Sequence, residues 1–186
     1  MLRGSLYHFF PTKQDILLTV LDRYHAGIAP MLLEPAWREV QDPIEKVFAL
    51  LARYRTAHAQ TDCSYGCPIG SLALELHEPD PPVRERLAAN FDAWVAAVEV
   101  CFVAAGDRLP AEVNRRDLAL FTLTTMEGAV MLARTHRNLD RYDAAVRTLR
   151  QHLDQLQTAA PAIRSPTATG PTGGSLSPPG PGVDDG

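Results

Sequence analysis

Gly4-Ser5-Leu6-Tyr7-His8-Phe9-Phe10-Pro11-Thr12-Lys13-Gln14-Asp15-Ile16-Leu17 decides how the rest of the chain is read, because it holds two helices and the break between them. A short helix is expected over residues 2–9. It must stop before Pro11, since proline pushes the preceding residue out of helical geometry. Thr12 reads as the N-cap of the next helix, with Asp15 as an approximate capping-box partner three residues on. Leu6 and Phe10 are four apart and share a face, which leaves Arg3, Ser5, Tyr7 and His8 pointing outward.

Downstream the apolar periodicity stays helical and no run alternates in the manner of a strand, so the fold class is all-α. The helix opened by Thr12 carries Ile16, Leu17, Val20, Leu21 and Tyr24; Pro30 is expected to kink or end it, with Pro35 in the connection after it. Asp42-Pro43-Ile44-Glu45 is a start signal: a capping Asp, a first-turn Pro that needs no hydrogen bond, and a Glu at the positive helix end. Val47, Leu50, Leu51 and Tyr54 form that helix's buried stripe. The glycines and proline of 64–70 predict a turn, feeding a short helix over 71–77. Asp80-Pro81-Pro82 opens a long helix with Val83, Leu87, Phe91, Trp94, Val95, Val98 and Phe102 on one side, stopped by Gly106. Two more are expected, over 115–137 and 141–156. In the second, Tyr142, Val146, Leu149, Leu153 and Leu156 repeat at four, three, four, three, the seam of a helix packed against a near-parallel or antiparallel neighbour. From Pro161 on, Pro, Gly, Ser and Thr dominate, and such a tail has too little apolar surface to offset its ordering entropy.

The 186 residues, 46% hydrophobic, suffice for one core and a small appendage. A net charge of −4 excludes a protein that is basic all over, so a nucleic-acid contact must come from a local surface. Residues 1–14 hold Arg3 and Lys13 and no carboxylate. No run approaches the roughly 18 uninterrupted apolar residues of a membrane span, and residues 1–25 lack a signal-peptide layout, so the expected location is the cytoplasm. Cys63, Cys67 and Cys101 are an odd number, which fits reduced thiols.

The Gly4–Leu17 run resembles the recognition-helix signature of the TetR/AcrR family of transcriptional regulators, roughly G-S-L-Y-x-[HY]-F-x-[ST]-K-x-[DE]-L-[LF], departing at Phe9, where His or Tyr is commoner. The resemblance implies a helix-turn-helix head in which Arg3, Gly4, Ser5, Tyr7, His8 and Lys13 contact DNA, with donors for phosphate oxygens or base edges of a pseudo-palindromic operator. It also implies a helical C-terminal bundle that binds a small effector and dimerises through its last two helices. The expected division is 1–29 (partial head and connecting helix), 30–159 (ligand-binding and dimerisation domain) and 160–186 (tail). In that family two helices precede the recognition helix, whereas Met1 falls just before the signature here. The head is therefore expected to be a remnant that binds DNA weakly or not at all. Two functions stand beside each other: a regulator, by family habit a repressor, released from DNA by a small apolar or aromatic effector, and a helical effector-binding dimer without DNA binding.

Phe48, Leu51, Phe91, Trp94, Phe121 and Met126 are the candidate ligand contacts, since aromatic and Met side chains suit an apolar effector. Each is equally well placed for ordinary core packing. Cys63-x3-Cys67, near His58 and His77, does not match a structural zinc spacing and is expected to be a plain turn. No catalytic constellation stands out, and Glu127 and His136, nine apart on one helix, lean to opposite faces. The chain is expected to be no enzyme, to need no cofactor, and to engage no membrane.

Overall fold

The computed structural model describes residues 9–76 and 78–160, and all regular structure among them is helical. Thr12 caps the first helix, α1 (Lys13–Gly27), in both directions: its hydroxyl accepts from Asp15 N (3.1 Å) and the Asp15 carboxylate accepts from Thr12 N (2.9 Å). The capping box is complete.

Pro30 neither ends nor breaks the helical path. The backbone widens into a π-helical turn over Ile28–Leu33 and continues as α2 (Glu34–Trp37), so 13–37 is helical throughout. A π turn changes the hydrogen-bond register, one of the few ways a helix can carry a proline in its interior. Pro35 lies in the first turn of α2, where its missing N–H costs nothing, rather than in a connection.

α3 (Pro43–Gln60) begins as expected: Asp42 Oδ1 accepts from Ile44 N and Glu45 N, both at 2.9 Å. It ends in a turn with Asp62 and Cys63 at positive φ, where Cys63 N donates to His58 O (2.8 Å). α4 (Pro68–Glu75) starts three residues earlier than the glycines suggest, because Pro68 occupies its first turn and the Cys67 sulfur acts as cap, accepting from Gly70 N (3.5 Å). α5 (Pro81–Ala104) ends before Gly106, at φ 55°, a left-handed conformation that glycine adopts without strain. α6 (Arg115–His136) and α7 (Asp140–Ala159) complete the bundle.

The main core lies between α3, α5, α6 and α7. Val47, Leu50, Val98, Phe102, Ala119, Ala133, Leu149 and Leu153 are wholly or almost wholly buried there, and Tyr142 donates its hydroxyl to Leu51 O (2.8 Å). Paired charges cover its edge: Arg55 grips Asp143 with two hydrogen bonds (2.7 and 2.9 Å), and Arg150 grips Glu45 while its guanidinium lies 3.4 Å above the Phe48 ring. Arg115 closes the α5–α6 loop by donating to the carbonyls of Pro110, Val113 and Leu109. By length and composition α1–α2 and α5 are apolar enough to cross a membrane, yet the buried stripe of α5 is packed against other helices of the bundle.

α1 is attached differently. Of its apolar residues only Leu21 is fully buried, in a small second cluster with Ile69, Val83 and Leu87. Ile16 and Leu17 are half-buried, while Val20 and Tyr24 are exposed at 38% and 44%. The predicted stripe is therefore fully covered only at Leu21, where α4 and α5 meet it.

Candidate ligand-binding site

Between α1, the π turn, α3, α4, α5 and α6 lies a cavity of about 920 Å³. Helical spacing explains who lines it. On α3 the cavity face is built from Ala49, Ala52, Arg53, Thr56, Ala57 and Gln60, with Tyr54 at its margin; three alanines leave the space open. α5 contributes Asn90, Phe91 and Trp94, and α6 contributes Leu123 and Glu127, four residues apart on one face. Tyr24, Ile28, Met31 and Leu32 close it from the α1 side.

Its polar groups are few and ordered. Trp94 Nε1–H donates to Tyr54 Oη (3.2 Å). Burial pushes the Tyr54 phenol well above its usual range, helped by the Cys67 thiol beside it. Cys67 is pushed up to about 12, first by burial and then by the Glu127 carboxylate to which it donates. A thiol held protonated in this way acts as a hydrogen-bond donor rather than a nucleophile. Burial also raises the Glu127 carboxyl, and the Cys67 bond opposes that. All three cysteines are free, and no cluster of metal-ligating side chains occurs among the described residues.

Asn90 joins the cavity to α1. It is 3% exposed, and its Nδ2 donates both to Leu21 O (3.1 Å) and to Arg86 O (2.8 Å), which fixes the amide's orientation. Its Oδ1 is buried with no partner among the described residues. Next to it, Arg86 pairs with Asp22 of α1 (2.7 Å).

Of the six residues expected from sequence to contact a ligand, the structure brings Phe91 and Trp94 to the cavity wall. Phe48 and Leu51 sit on the other side of α3, against α7, and Met126 is in the main core. Phe121 is 50% exposed on α6, two residues from Leu123 and so turned away from it, with its ring edge-on to His152. Tyr24, Tyr54, Cys67, Asn90 and Glu127 join the wall without having been expected there. The alanine face of α3 and the Leu123–Glu127 spacing were the signals available for the cavity. Of the expected DNA contacts, Arg3, Gly4, Ser5, Tyr7 and His8 lie outside the described residues, as do His77 and the 161–186 tail. Lys13 is exposed at the first position of α1.

Residues 43–148, spanning α3 to the first half of α7, match the family model described as the C-terminal domain of LmrA/YxaF-like transcriptional regulators. The chain is also 34% identical over 157 residues to an uncharacterized HTH-type transcriptional regulator of Mycobacterium tuberculosis, covering 81% of this chain and 77% of that one. It belongs to the TetR family of transcriptional regulators. An uncharacterized HTH-type regulator of Bacillus subtilis, YxaF, is 27% identical over 136 residues, with 73% and 70% of the two chains covered. The fold matches that of a TetR regulatory protein from Rhodobacter sphaeroides at TM-score 0.74 and 24% identity, over 82% of each chain. A TetR-family regulator is not an enzyme, and members of the family generally bind DNA and form dimers.

Proposed function

We propose that this TetR-family protein is a ligand-responsive repressor whose effector, a small apolar or aromatic molecule, occupies the cavity beneath α1. The observation that carries this reading is the placement of Asn90: one side chain both lines the cavity and hydrogen-bonds the backbone of the helix that the Gly4–Leu17 signature leads into. A ligand that displaces the Tyr24, Met31 or Asn90 side chains alters how α1 lies on α5. It can bias DNA binding only by as much as its affinity differs between the two arrangements.

In this reading residues 1–29 belong to the DNA-binding head, 30–159 to the effector-binding and dimerisation domain, and 160–186 to a tail. Arg3, Gly4, Ser5, Tyr7, His8 and Lys13 contact a pseudo-palindromic operator through two heads of one dimer, which works in the cytoplasm. The last two helices supply the dimer contact. Leu120, Phe121, Met131 and Leu132 of α6 are 42–52% exposed, and no side chain lies within 4 Å of a methyl built on Gly128, so this face can accept a second copy closely.

The test is DNA selection by the full chain from a random duplex pool, with anisotropy titration of the selected duplex across a salt series. A repressor gives a palindromic consensus and a salt slope of several ions, with affinity lowered by compounds that quench Trp94. No consensus would remove the DNA-binding reading.

A further inference from the structure

We propose that the ligand anchored in this cavity is an organic cation, a hydrophobic amine whose ammonium group is held by Glu127 and whose body lies among Tyr54, Phe91 and Trp94. The inference rests on the reading of the cavity as the effector site and names the chemistry that site selects.

Three observations meet at Glu127. First, its carboxylate is the one acidic group lining the cavity, beside Tyr54, Phe91, Trp94 and Leu123, and among the described residues no lysine, arginine or histidine pairs with it. Its one hydrogen-bond partner there is the Cys67 thiol, a weak donor. A carboxylate in such surroundings is costly unless it takes up a proton or a cation compensates it, so an arriving ammonium group stabilises the ionised form. Second, its position is built into the backbone of α4. A Cβ on Gly70 would collide with the Glu127 carboxylate, with Cδ only 3.2 Å away, so the glycine makes room for the acid at the wall. Third, the surrounding groups favour a cation over a neutral or anionic ligand. Aromatic rings present negative faces to a positive group, and Tyr54, Phe91 and Trp94 supply them in the same wall. Arg23 and Arg53 also reach this cavity, but both are exposed, and Arg53 donates to Met31 O (2.8 Å). Water screens exposed guanidinium groups far more than it screens the half-buried carboxylate.

Calorimetric titration of the full chain with three probes of one shape tests this: 1-naphthylmethylamine, 1-naphthylmethanol and 1-naphthoate. The amine is expected to bind at least about tenfold tighter than the alcohol, and the naphthoate weakest. Glu127→Gln, nearly isosteric, is expected to abolish the preference for the amine while changing the alcohol's affinity less than about threefold. Gly70→Ala should do the same by evicting the carboxylate with a methyl group. Equal binding of amine and alcohol overturns the inference and leaves the cavity as an aromatic site. Tightest binding of naphthoate overturns it in favour of the arginines, and an amine preference that survives Glu127→Gln overturns Glu127 as the anchor. Binding of none of the three overturns the inference together with the reading of the cavity as an aromatic-ligand site. The wild-type comparison stands by itself should either variant fold poorly.

Discussion

Leu21→Ala separates the attachment of α1 from the stability of the bundle. Leu21 is 0% exposed and is the one fully buried residue of its helix. Shortening it to a methyl at about 0.8 kcal/mol per buried CH₂ costs ~2.4 kcal/mol, and an unrelaxed cavity would bring this to roughly 3–5 kcal/mol. What else holds α1 to α5 is modest: the part-buried Leu18 packed on the same cluster, the Asn90–Leu21 O bond, worth about 1 kcal/mol net, and the Asp22–Arg86 pair, half-exposed on both sides and worth about 0–1 kcal/mol. Lifting α1 off is thus a cheaper response than keeping it docked over a void, and the main core has no share in the loss. The assay is trypsin cleavage at Lys13 and Arg23, both exposed side chains on α1, under conditions where cutting reports the population of the open form. A loss of ~2.4 kcal/mol raises that population about 50-fold, and cleavage within α1 should accelerate by that factor while the thermal transition of the bundle moves by only a few degrees. Unchanged cleavage in α1 with a bundle destabilised by the full 3–5 kcal/mol would refute a separately attached α1.

Other perturbations have equally definite outcomes. Gly70→Ala replaces a glycine in the first turn of α4, where alanine's helix propensity gains less than the roughly 1 kcal/mol of an interior site, and meets only the flexible end of Glu127, so denaturation should show unchanged or slightly raised stability. Burial lowers the His58 pKa below its ordinary value of 6.5, so the unfolded chain binds the proton first. Stability is therefore full above about pH 6.5 and falls as pH drops toward the folded pKa; a series of urea melts from pH 7.5 to 5 should show this fall in wild type and not in His58→Gln. Phe121→Asp, at an exposed position, should leave monomer helicity intact while sedimentation shows a dimer shifted to monomer. Asn90→Ala should weaken α1 protection in hydrogen exchange without closing the cavity to Trp94-quenching ligands.

The parts of this fold that could be read in advance are those where local chemistry and tertiary packing agree. Thr12 with Asp15, and Asp42 with Pro43, announce helices that form as announced, because the capping groups act within one turn. Pro30 misleads because its cost can be absorbed by a change of helical register, which depends on packing beyond the local sequence. The start of α4 was hidden because its cap is a cysteine, whose sulfur is a poor acceptor and no usual N-cap signal. For the cavity, Phe91 and Trp94 were legible as apolar residues on one face of a long helix. Phe48, Leu51 and Met126 carry the same signal and go to the core instead, since periodicity shows which residues share a face and not which neighbour covers it. Small residues mark the cavity better than large ones: Ala49, Ala52 and Ala57 leave the space that Tyr24, Tyr54 and Trp94 surround.

If occupancy of the cavity is felt at α1 through Asn90, hydrogen exchange over 13–27 must respond to it. Measuring that exchange with and without a saturating ligand that quenches Trp94 is the most direct test. The expected result is a change in α1 protection of about tenfold or more that is lost in Asn90→Ala. Ligand binding that leaves α1 exchange unaltered in the wild-type chain would contradict the coupling.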